Sequence, residues 1–169
     1  IDVIIGASGY PSNTAQGRAY IIYGGNSLAN INLASLTSSQ GISITGANTG
    51  DKTGYSVSGA RDINGDGYID IIIGAPNAKS SAGITYVIFG KVNLININLA
   101  TLSVSQGISI TGANNNDNSG CSASDVGDFN RDGYNDTIIG AYGYPSGNKK
   151  GIAYIIYGGN NLANINLNR

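Results

Sequence analysis

The chain has 169 residues, a formal net charge of −1, and no His, Trp or Met. The near-zero charge gives no electrostatic attraction to nucleic acid or to an anionic membrane surface, and no apolar run approaches the length that spans a bilayer. We therefore expect that this segment does not bind nucleic acid and does not insert into a membrane. Because the lack of His removes the usual general base and the commonest transition-metal ligand, we also expect that the protein is not an enzyme.

Internal repeats organise the sequence from its beginning. The segment AYIIYGGN occurs at 19–26 and again at 153–160, and GISITGAN occurs at 41–48 and 107–114. These offsets, 134 and 66 residues, correspond to two periods and one period of a unit of about 67 residues. A third repeated segment, with the pattern L-x-N-I-N-L, starts at Leu28, Leu94 and Leu162.

The chain therefore holds about two and a half copies of this unit. We divide it into 1–68 (strands two to four of one copy, then the first strand and loop of the next), 69–134 (a repeat unit with a second loop) and 135–169 (a partial repeat). Because it starts without Met and enters the repeat partway, we expect a segment of a longer polypeptide. Such a segment would not close a ring by itself, and it would expose unpaired strand edges.

Each unit consists of short runs rich in Ile, Tyr and Val, separated by Gly, Asn, Ser and Asp, which favours strands over helices. Runs such as 70–74 and 20–23 are apolar on both faces, which is typical of strands covered on both sides. The stretch 96–106 is either an extra edge strand or an irregular outer loop, and Cys121 is expected as a small buried strand residue. In the complete unit we predict four strands, at 55–60, 69–75, 84–89 and 108–111.

Repeated four-stranded sheets that are apolar on both faces predict an all-β fold, a β-propeller with blades of four antiparallel strands. About two and a half blades would lie in this segment. A β-solenoid is the alternative, although its coils usually repeat over far fewer residues.

Two nine-residue segments, loop A (62–70) and loop B (128–136), both read D-x-N-x-D-G-x-x-D. Calcium takes six to eight oxygen ligands, which positions one, three, five and nine and the carbonyl of position seven can supply, while Gly at position six permits a sharp turn. The predicted ligands are Asp62, Asn64, Asp66, Tyr68 (carbonyl) and Asp70 in loop A, and Asp128, Asn130, Asp132, Tyr134 (carbonyl) and Asp136 in loop B.

Other interpretations of these loops are weaker. Position twelve is Ile73 or Ile139, where an EF-hand requires Glu, so the loops are not EF-hands. Asp, Asn and Gly also form turns without metal, but two loops with the same ligand types in repeat register favour a cation, and three crowded carboxylates repel one another without one. Magnesium and zinc suit this ligand set less well than calcium. Asp2 lies 68 residues before Asp70 and is predicted to be position nine of a third, partial calcium site.

These residues resemble the FG-GAP repeat, the unit of the integrin α-subunit head propeller and of many surface proteins. The Gly-Ala-Pro element is 74–76, with the variants Gly-Ala-Ser at 6–8 and Gly-Ala-Tyr at 140–142, and the Phe-Gly element corresponds to 53–54 and 119–120, where Phe is missing. The copies resemble microbial FG-GAP surface proteins more than animal integrins. The resemblance implies a propeller, commonly of seven blades, with calcium loops between the first and second strands, and an extracellular or cell-surface role in adhesion or ligand binding.

Three functions are compatible with this resemblance. The first is a recognition or adhesion module with a protein or glycan ligand, the second is a building block of an extracellular assembly whose partners are further copies or blades, and the third is the non-catalytic propeller of a secreted enzyme. An exposed aromatic cluster would favour the first function. Tyr10 and Tyr144, in matching Gly-Tyr-Pro-Ser turns, are the candidates, unless they pack on a neighbouring blade.

Overall fold

The computed structural model describes residues 2–25 and 30–168, and in this part of the chain strands and turns predominate. The strands are β1 (Val3–Ala7), β2 (Arg18–Ile22), β3 (Gly41–Thr45), β4 (Ser56–Arg61), β5 (Asp70–Ala75), β6 (Ile84–Ile88), β7 (Ile97–Asn98), β8 (Gly107–Thr111), β9 (Ser119–Gly127), β10 (Asp136–Ala141), β11 (Ile152–Ile156) and β12 (Ile165–Asn166). Short helical turns lie at Leu33–Ser35 and Leu99–Thr101, and Ala78–Ser81 forms a turn with left-handed backbone at Lys79 and Ser80. No helix within these described ranges is long and apolar enough to cross a membrane.

The described strands form three sheets, one for each copy of the repeat. Sheet I has the order β1-β2-β3-β7, sheet II the order β4-β5-β6-β8-β12, and sheet III the order β9-β10-β11. All pairs are antiparallel except β3–β7 and β8–β12. The four antiparallel strands predicted for the complete unit are β4, β5, β6 and β8, and each predicted boundary lies within one residue of the observed one. The predicted all-β class with blade-like antiparallel sheets is confirmed.

The outermost strand of sheets I and II comes from the following copy of the repeat. β7 pairs in parallel with β3, and β12 pairs in parallel with β8. An asparagine just before each of these short strands fixes the pairing. Asn96 Oδ1 accepts a hydrogen bond from Ser43 N at 2.8 Å, and Asn164 Oδ1 accepts one from Ser109 N at 2.9 Å. The L-x-N-I-N-L segment therefore joins each sheet to its predecessor.

This arrangement extends the prediction of four-stranded blades, because a fifth, parallel strand lies at the outer edge of sheet II. The stretch 96–106 contains both alternatives that the sequence left open, an edge strand followed by the helical turn Leu99–Thr101 and a loop. Cys121 lies on β9 and is half-buried rather than buried, with its thiol 3.4 Å from Gly140 O. Leu28, the first residue of the earliest L-x-N-I-N-L copy, lies outside the described residues.

The sheets pack face to face, which explains why the central strands are apolar on both sides. One core, between sheets I and II, includes Ile44 and Ile73. A second core, between sheets II and III, includes Ile108 and Ile139, and it also takes in Ile63 from loop A. Loop A is thus anchored at the boundary between sheets II and III.

Two glycines of each repeat permit close approach of neighbouring sheets. A Cβ atom on Gly74 would lie 2.0 Å from the main-chain oxygen of Gly120, and one on Gly6 would lie 2.1 Å from that of Gly54. Gly6 and Gly74 belong to the Gly-Ala-Pro element, and Gly54 and Gly120 to the Phe-Gly element of the next copy. The two sequence elements therefore meet across the sheet boundary, where a side chain would prevent contact.

Candidate metal centre

Loops A and B each connect the first and second strands of a sheet, as the resemblance implies. Loop A leads from β4 to β5, and loop B leads from β9 to β10. The loops touch, because Asn135 N of loop B donates a hydrogen bond to Asp62 O of loop A at 3.2 Å. The two candidate sites therefore lie side by side at the same end of sheets II and III.

A fully buried aspartate closes each loop. Asp70 Oδ2 accepts a hydrogen bond from Ile63 N at 2.9 Å, and its Oδ1 accepts one from Gly90 N at 2.8 Å. Asp136 makes the equivalent pair of bonds in loop B, at 2.9 and 2.8 Å. Position nine thus ties the start of the loop to the chain that follows the third strand of the same sheet.

Asp2 occupies the corresponding place in sheet I. Its Oδ1 accepts a hydrogen bond from Gly24 N at 2.8 Å, as Asp70 Oδ1 does from Gly90 N. Asp2 is exposed, whereas its counterparts in sheets II and III are buried. Its assignment to a partial calcium site stays a prediction.

The side chains at positions one, three and five accept hydrogen bonds from the loop's own main chain. In loop A, Asp62 Oδ1 accepts from Asp66 N at 3.0 Å, and Asp62 Oδ2 accepts from Gly67 N at 2.9 Å. Asn64 Oδ1 also accepts from Asp66 N at 3.0 Å, and Asp66 Oδ1 accepts from Tyr68 N at 2.9 Å. Loop B repeats all four bonds, with distances of 3.0, 3.0, 3.0 and 2.9 Å. The two loops thus share one conformation.

The electrostatic surroundings of Asp70 favour a bound cation. Burial raises the pKa of this carboxyl group to about 6, against the lowering effect of the N–H groups of Gly90 and Ile63. The negative charges of Asp66 and Asp62 raise it further. A cation in the loop would offset both the burial and the repulsion.

The donor chemistry of each loop fits a hard cation, since every predicted ligand atom is an oxygen. Within residues 2–25 and 30–168, however, no group of three or more acidic or cysteine side chains is already arranged to hold a metal ion. The carboxylates of Asp62 and Asp66 face the N–H groups of their own loop. A calcium site therefore requires these side chains to turn toward a common centre, and the ligand roles stay predictions.

Exposed aromatic residues lie at both ends of the sheets, with Phe129 and Tyr157 at the loop end and others in the turns at the opposite end. Tyr10 is exposed and lies beneath the Arg18 guanidinium, which is 4.6 Å from the ring centre. Tyr144, in the matching turn, is half-buried, while Tyr142 beside it is exposed. The connections at this end also contain the exposed residues Lys52, Lys79, Lys149 and Lys150.

Two buried aspartates outside the loops were not singled out from the sequence. Asp51 Oδ2 accepts hydrogen bonds from Asn48 N and Nδ2 at 3.1 and 3.2 Å, and Asp117 Oδ2 accepts them from Asn114 at 3.0 and 3.1 Å. Asp117 Oδ1 also accepts a bond from Ser146 N at 2.6 Å. The spacing G-A-N-x-x-D is present in both copies. This repeated pattern is the signal that could have identified these aspartates, which stabilise the turn by hydrogen bonding.

Comparison with known proteins relates this arrangement to one family of repeats. The family model described as the FG-GAP repeat matches residues 53–88 and 122–156, and each match contains one complete loop. The chain is 38% identical over 101 residues to integrin alpha-PS5 of Drosophila melanogaster, a match covering 57% of this chain and 9% of the relative. It is 35% identical over 118 residues to integrin alpha pat-2 of Caenorhabditis elegans (64% and 9%), and 30% identical over 144 residues to integrin alpha-PS2 of Drosophila melanogaster (80% and 10%). The chain thus spans about a tenth of the length of these relatives.

Proposed function

Because this chain is built of FG-GAP repeats, we propose that it is a calcium-stabilised β-propeller module of the cell surface or extracellular space, with a role in recognition or adhesion. Its similarity to integrin alpha subunits supports that role. In this proposal the cations stabilise the fold, and the module has no catalytic activity of its own.

The agreement between loops A and B carries the proposal. Both loops present Asp, Asn, Asp and Asp at positions one, three, five and nine, and both hold these side chains with matching hydrogen bonds, apart from a bond from Gly65 N to Asp62 Oδ1 in loop A. Turn formation alone does not require three carboxylates in each loop. Calcium would supply positive charge where Asp62, Asp66 and Asp70 repel one another, and the same holds in loop B.

We expect chelation with EDTA to lower the melting temperature of the calcium-loaded protein. Calcium at 100 times the Kd of a loop stabilises the folded state by about 2.7 kcal/mol. In a chain of this size, each kcal/mol of stability raises Tm by about 2–4 °C. The loss should therefore be roughly 5–10 °C for each saturated loop. Asp66→Ala and Asp132→Ala should each remove one bound calcium ion, measured by equilibrium dialysis and metal analysis.

The control variant is Asp125→Asn, which removes a carboxylate outside the loops, 3.0 Å from Arg61 Nε. It should bind as much calcium as the unmodified protein. Equal melting curves in excess EDTA and in saturating calcium would contradict the stabilising role, and a lack of bound calcium would contradict the sites themselves.

The end of the sheets opposite loops A and B is the surface that we assign to recognition. Exposed aromatic rings such as Tyr10 and Tyr142 suit contacts with sugar rings or with apolar protein side chains. The lysines at the same end add attraction to acidic groups on a protein or glycan ligand.

We expect Tyr142→Ala to weaken binding to a panel of immobilised extracellular proteins and glycans, measured by biolayer interferometry in calcium. Tyr157→Ala is the matched control, because Tyr142 and Tyr157 are 54% and 53% exposed and Tyr157 lies at the end that carries the loops. Equal losses in both variants would contradict the assignment of this surface.

A second candidate function, a building block of an extracellular assembly, is favoured by the sheet edges. β1 at the edge of sheet I and β11 at the edge of sheet III have no further partner strand in the described part of the chain. Such edges can pair with strands of another molecule.

A further inference from the structure

Loop B rests directly on loop A. Besides its main-chain bond, Asn135 donates a second hydrogen bond, from Nδ2 to Asp62 O at 3.0 Å. The ring of Tyr134 lies against Gly65, where an added Cβ atom would be 2.6 Å from the ring carbon Cε1. Positions seven and eight of loop B thus contact positions one and four of loop A.

A hydrogen-bonded path connects the closing aspartates of the two loops. Asp136 Oδ1 accepts from Gly158 N at 2.8 Å, and the next residue, Gly159, donates its N–H to Ile63 O at 2.8 Å. Ile63 N in turn donates to Asp70 Oδ2 at 2.9 Å. Three hydrogen bonds, joined by the main chain of Gly158–Gly159 and of Ile63, therefore connect Asp136 to Asp70.

The two loops carry different residues at the positions that do or do not contact a neighbouring loop. Ile63, at position two of loop A, is fully buried, whereas Phe129 at the same position of loop B is 62% exposed. At position eight, loop A has Ile69, which is 74% exposed, whereas loop B has Asn135, which donates a hydrogen bond to loop A. In the described residues, loop A receives this contact and loop B provides it.

We propose that loops A and B bind calcium with positive cooperativity, and that Asn135 is the positioning residue that links them. Asn135 is not one of the predicted ligands, and its side chain donates a hydrogen bond to Asp62 O. A cation that orders loop B fixes Asn135 and Gly159, and these two residues hold the first carbonyl groups of loop A in place. The conformational free energy needed to order loop A is then lower when the second ion binds. This inference rests on the proposed function, because it requires that both loops bind calcium.

Calcium titrations of single-loop variants test the coupling. Asp132→Ala leaves loop A as the intact site, and Asp66→Ala leaves loop B. Affinities are measured in calcium-free buffer against a fluorescent calcium chelator as competitor. We expect the product of the two dissociation constants of wild-type protein to be smaller, by about fivefold or more, than the product of the Kd values of the two variants. Because coupling is reciprocal, emptying either loop should weaken the other by the same factor.

Asn135→Ile tests the role of the side chain, because Ile is the residue that loop A carries at this position. The variant retains the main-chain bond and loses the bond from Nδ2, so the coupling factor should fall toward one. Ile69→Asn is the matched control, and it should leave the coupling factor unchanged. Each coupling factor is obtained by introducing Asp66→Ala or Asp132→Ala into the same background. A purely structural role of Asn135 would lower Tm in EDTA without changing the coupling factor.

The possible outcomes separate this inference from the proposed function. If wild-type protein binds no calcium, the proposed function fails. If it binds two ions and each single-loop variant keeps the wild-type affinity of its intact loop, the cooperativity is disproved while the proposed function stands. An undiminished coupling factor in Asn135→Ile disproves the role of that residue. If Asn135→Ile does not fold, Asn135→Ala supplies the same test, because alanine has no side-chain donor.

Discussion

Asp70 and Asp136 each accept hydrogen bonds from main-chain N–H groups, in addition to their predicted role as ligands. Asp70 accepts from Ile63 N and from Gly90 N, and it is fully buried. Asp66, in contrast, is exposed. A carboxylate at position nine therefore contributes to the fold without a cation, whereas one at position five contributes mainly when a cation is bound.

In EDTA, we expect Asp70→Asn to lower the free energy of unfolding by about 1–3 kcal/mol, because the new amide group places a donor against a buried N–H. Asp66→Asn, at an exposed position, should change it by no more than about 0.5 kcal/mol. Urea denaturation followed by circular dichroism measures both values. Equal losses for the two variants would show that position nine has no separate structural role.

At this scale, sequence spacing predicts which residues are the ligands, since the motif places one oxygen-bearing side chain at each required position, and that assignment stays a prediction. The hydrogen-bond partners could not be predicted. Gly90 lies 20 residues from Asp70, and only the pairing of β5 with β6 brings the two together. Asp51 and Asp117 were missed for a related reason, because their burial depends on how the connections between sheets pack.

At the scale of the elements, β5, β6 and β8 of sheet II were predictable because each is a short Ile-containing run bounded by turn residues, whereas β4, with the sequence Ser-Val-Ser-Gly-Ala-Arg, is more polar. The strand β7 was only one of two alternatives for 96–106, and β12 was not predicted, since each has two residues and exists only through parallel pairing with the preceding sheet. Their pattern, Asn-Ile-Asn, is also that of a turn. The contact between the Gly-Ala-Pro and Phe-Gly elements likewise follows from packing rather than from local sequence.

We expect Gly74→Ala to destabilise the protein by roughly 1–3 kcal/mol or more, because the new methyl group would meet the rigid main-chain oxygen of Gly120. Gly140→Ala is the matched control at the equivalent position of sheet III. There the nearest atom is Ser122 Oγ, which can rotate away, and the next atoms lie at 3.8 Å. Thermal denaturation should show a clear loss of Tm for Gly74→Ala and little for Gly140→Ala. The reverse order would contradict the role of these glycines in sheet packing.

At the scale of the whole molecule, each sheet packs on the next in chain order, through β1 with β4 and through β4 and β5 with β9. Loops A and B lie at one end of the stack, and the exposed tyrosines and lysines of the long connections lie at the other. The repeat period predicts this stacking, because each copy must bury both faces of its sheet. Position within the stack then decides what is exposed, since Ile63 is covered by sheet III while the equivalent Phe129 is open to solvent.

The same stacking leaves β11 as an edge strand in the described part of the chain, and we expect the 17.2 kDa polypeptide to self-associate through it. Size-exclusion chromatography with light scattering should give a mass that rises with protein concentration. Ile155→Lys places a charge on this edge and should shift the distribution toward the monomer, because lysine on an edge strand opposes pairing with a second strand. Val104→Lys adds the same charge in a loop, at a residue that is 71% exposed, and should leave association unchanged. A constant monomer mass for the unmodified chain at all concentrations would contradict edge pairing, and with it the assembly function.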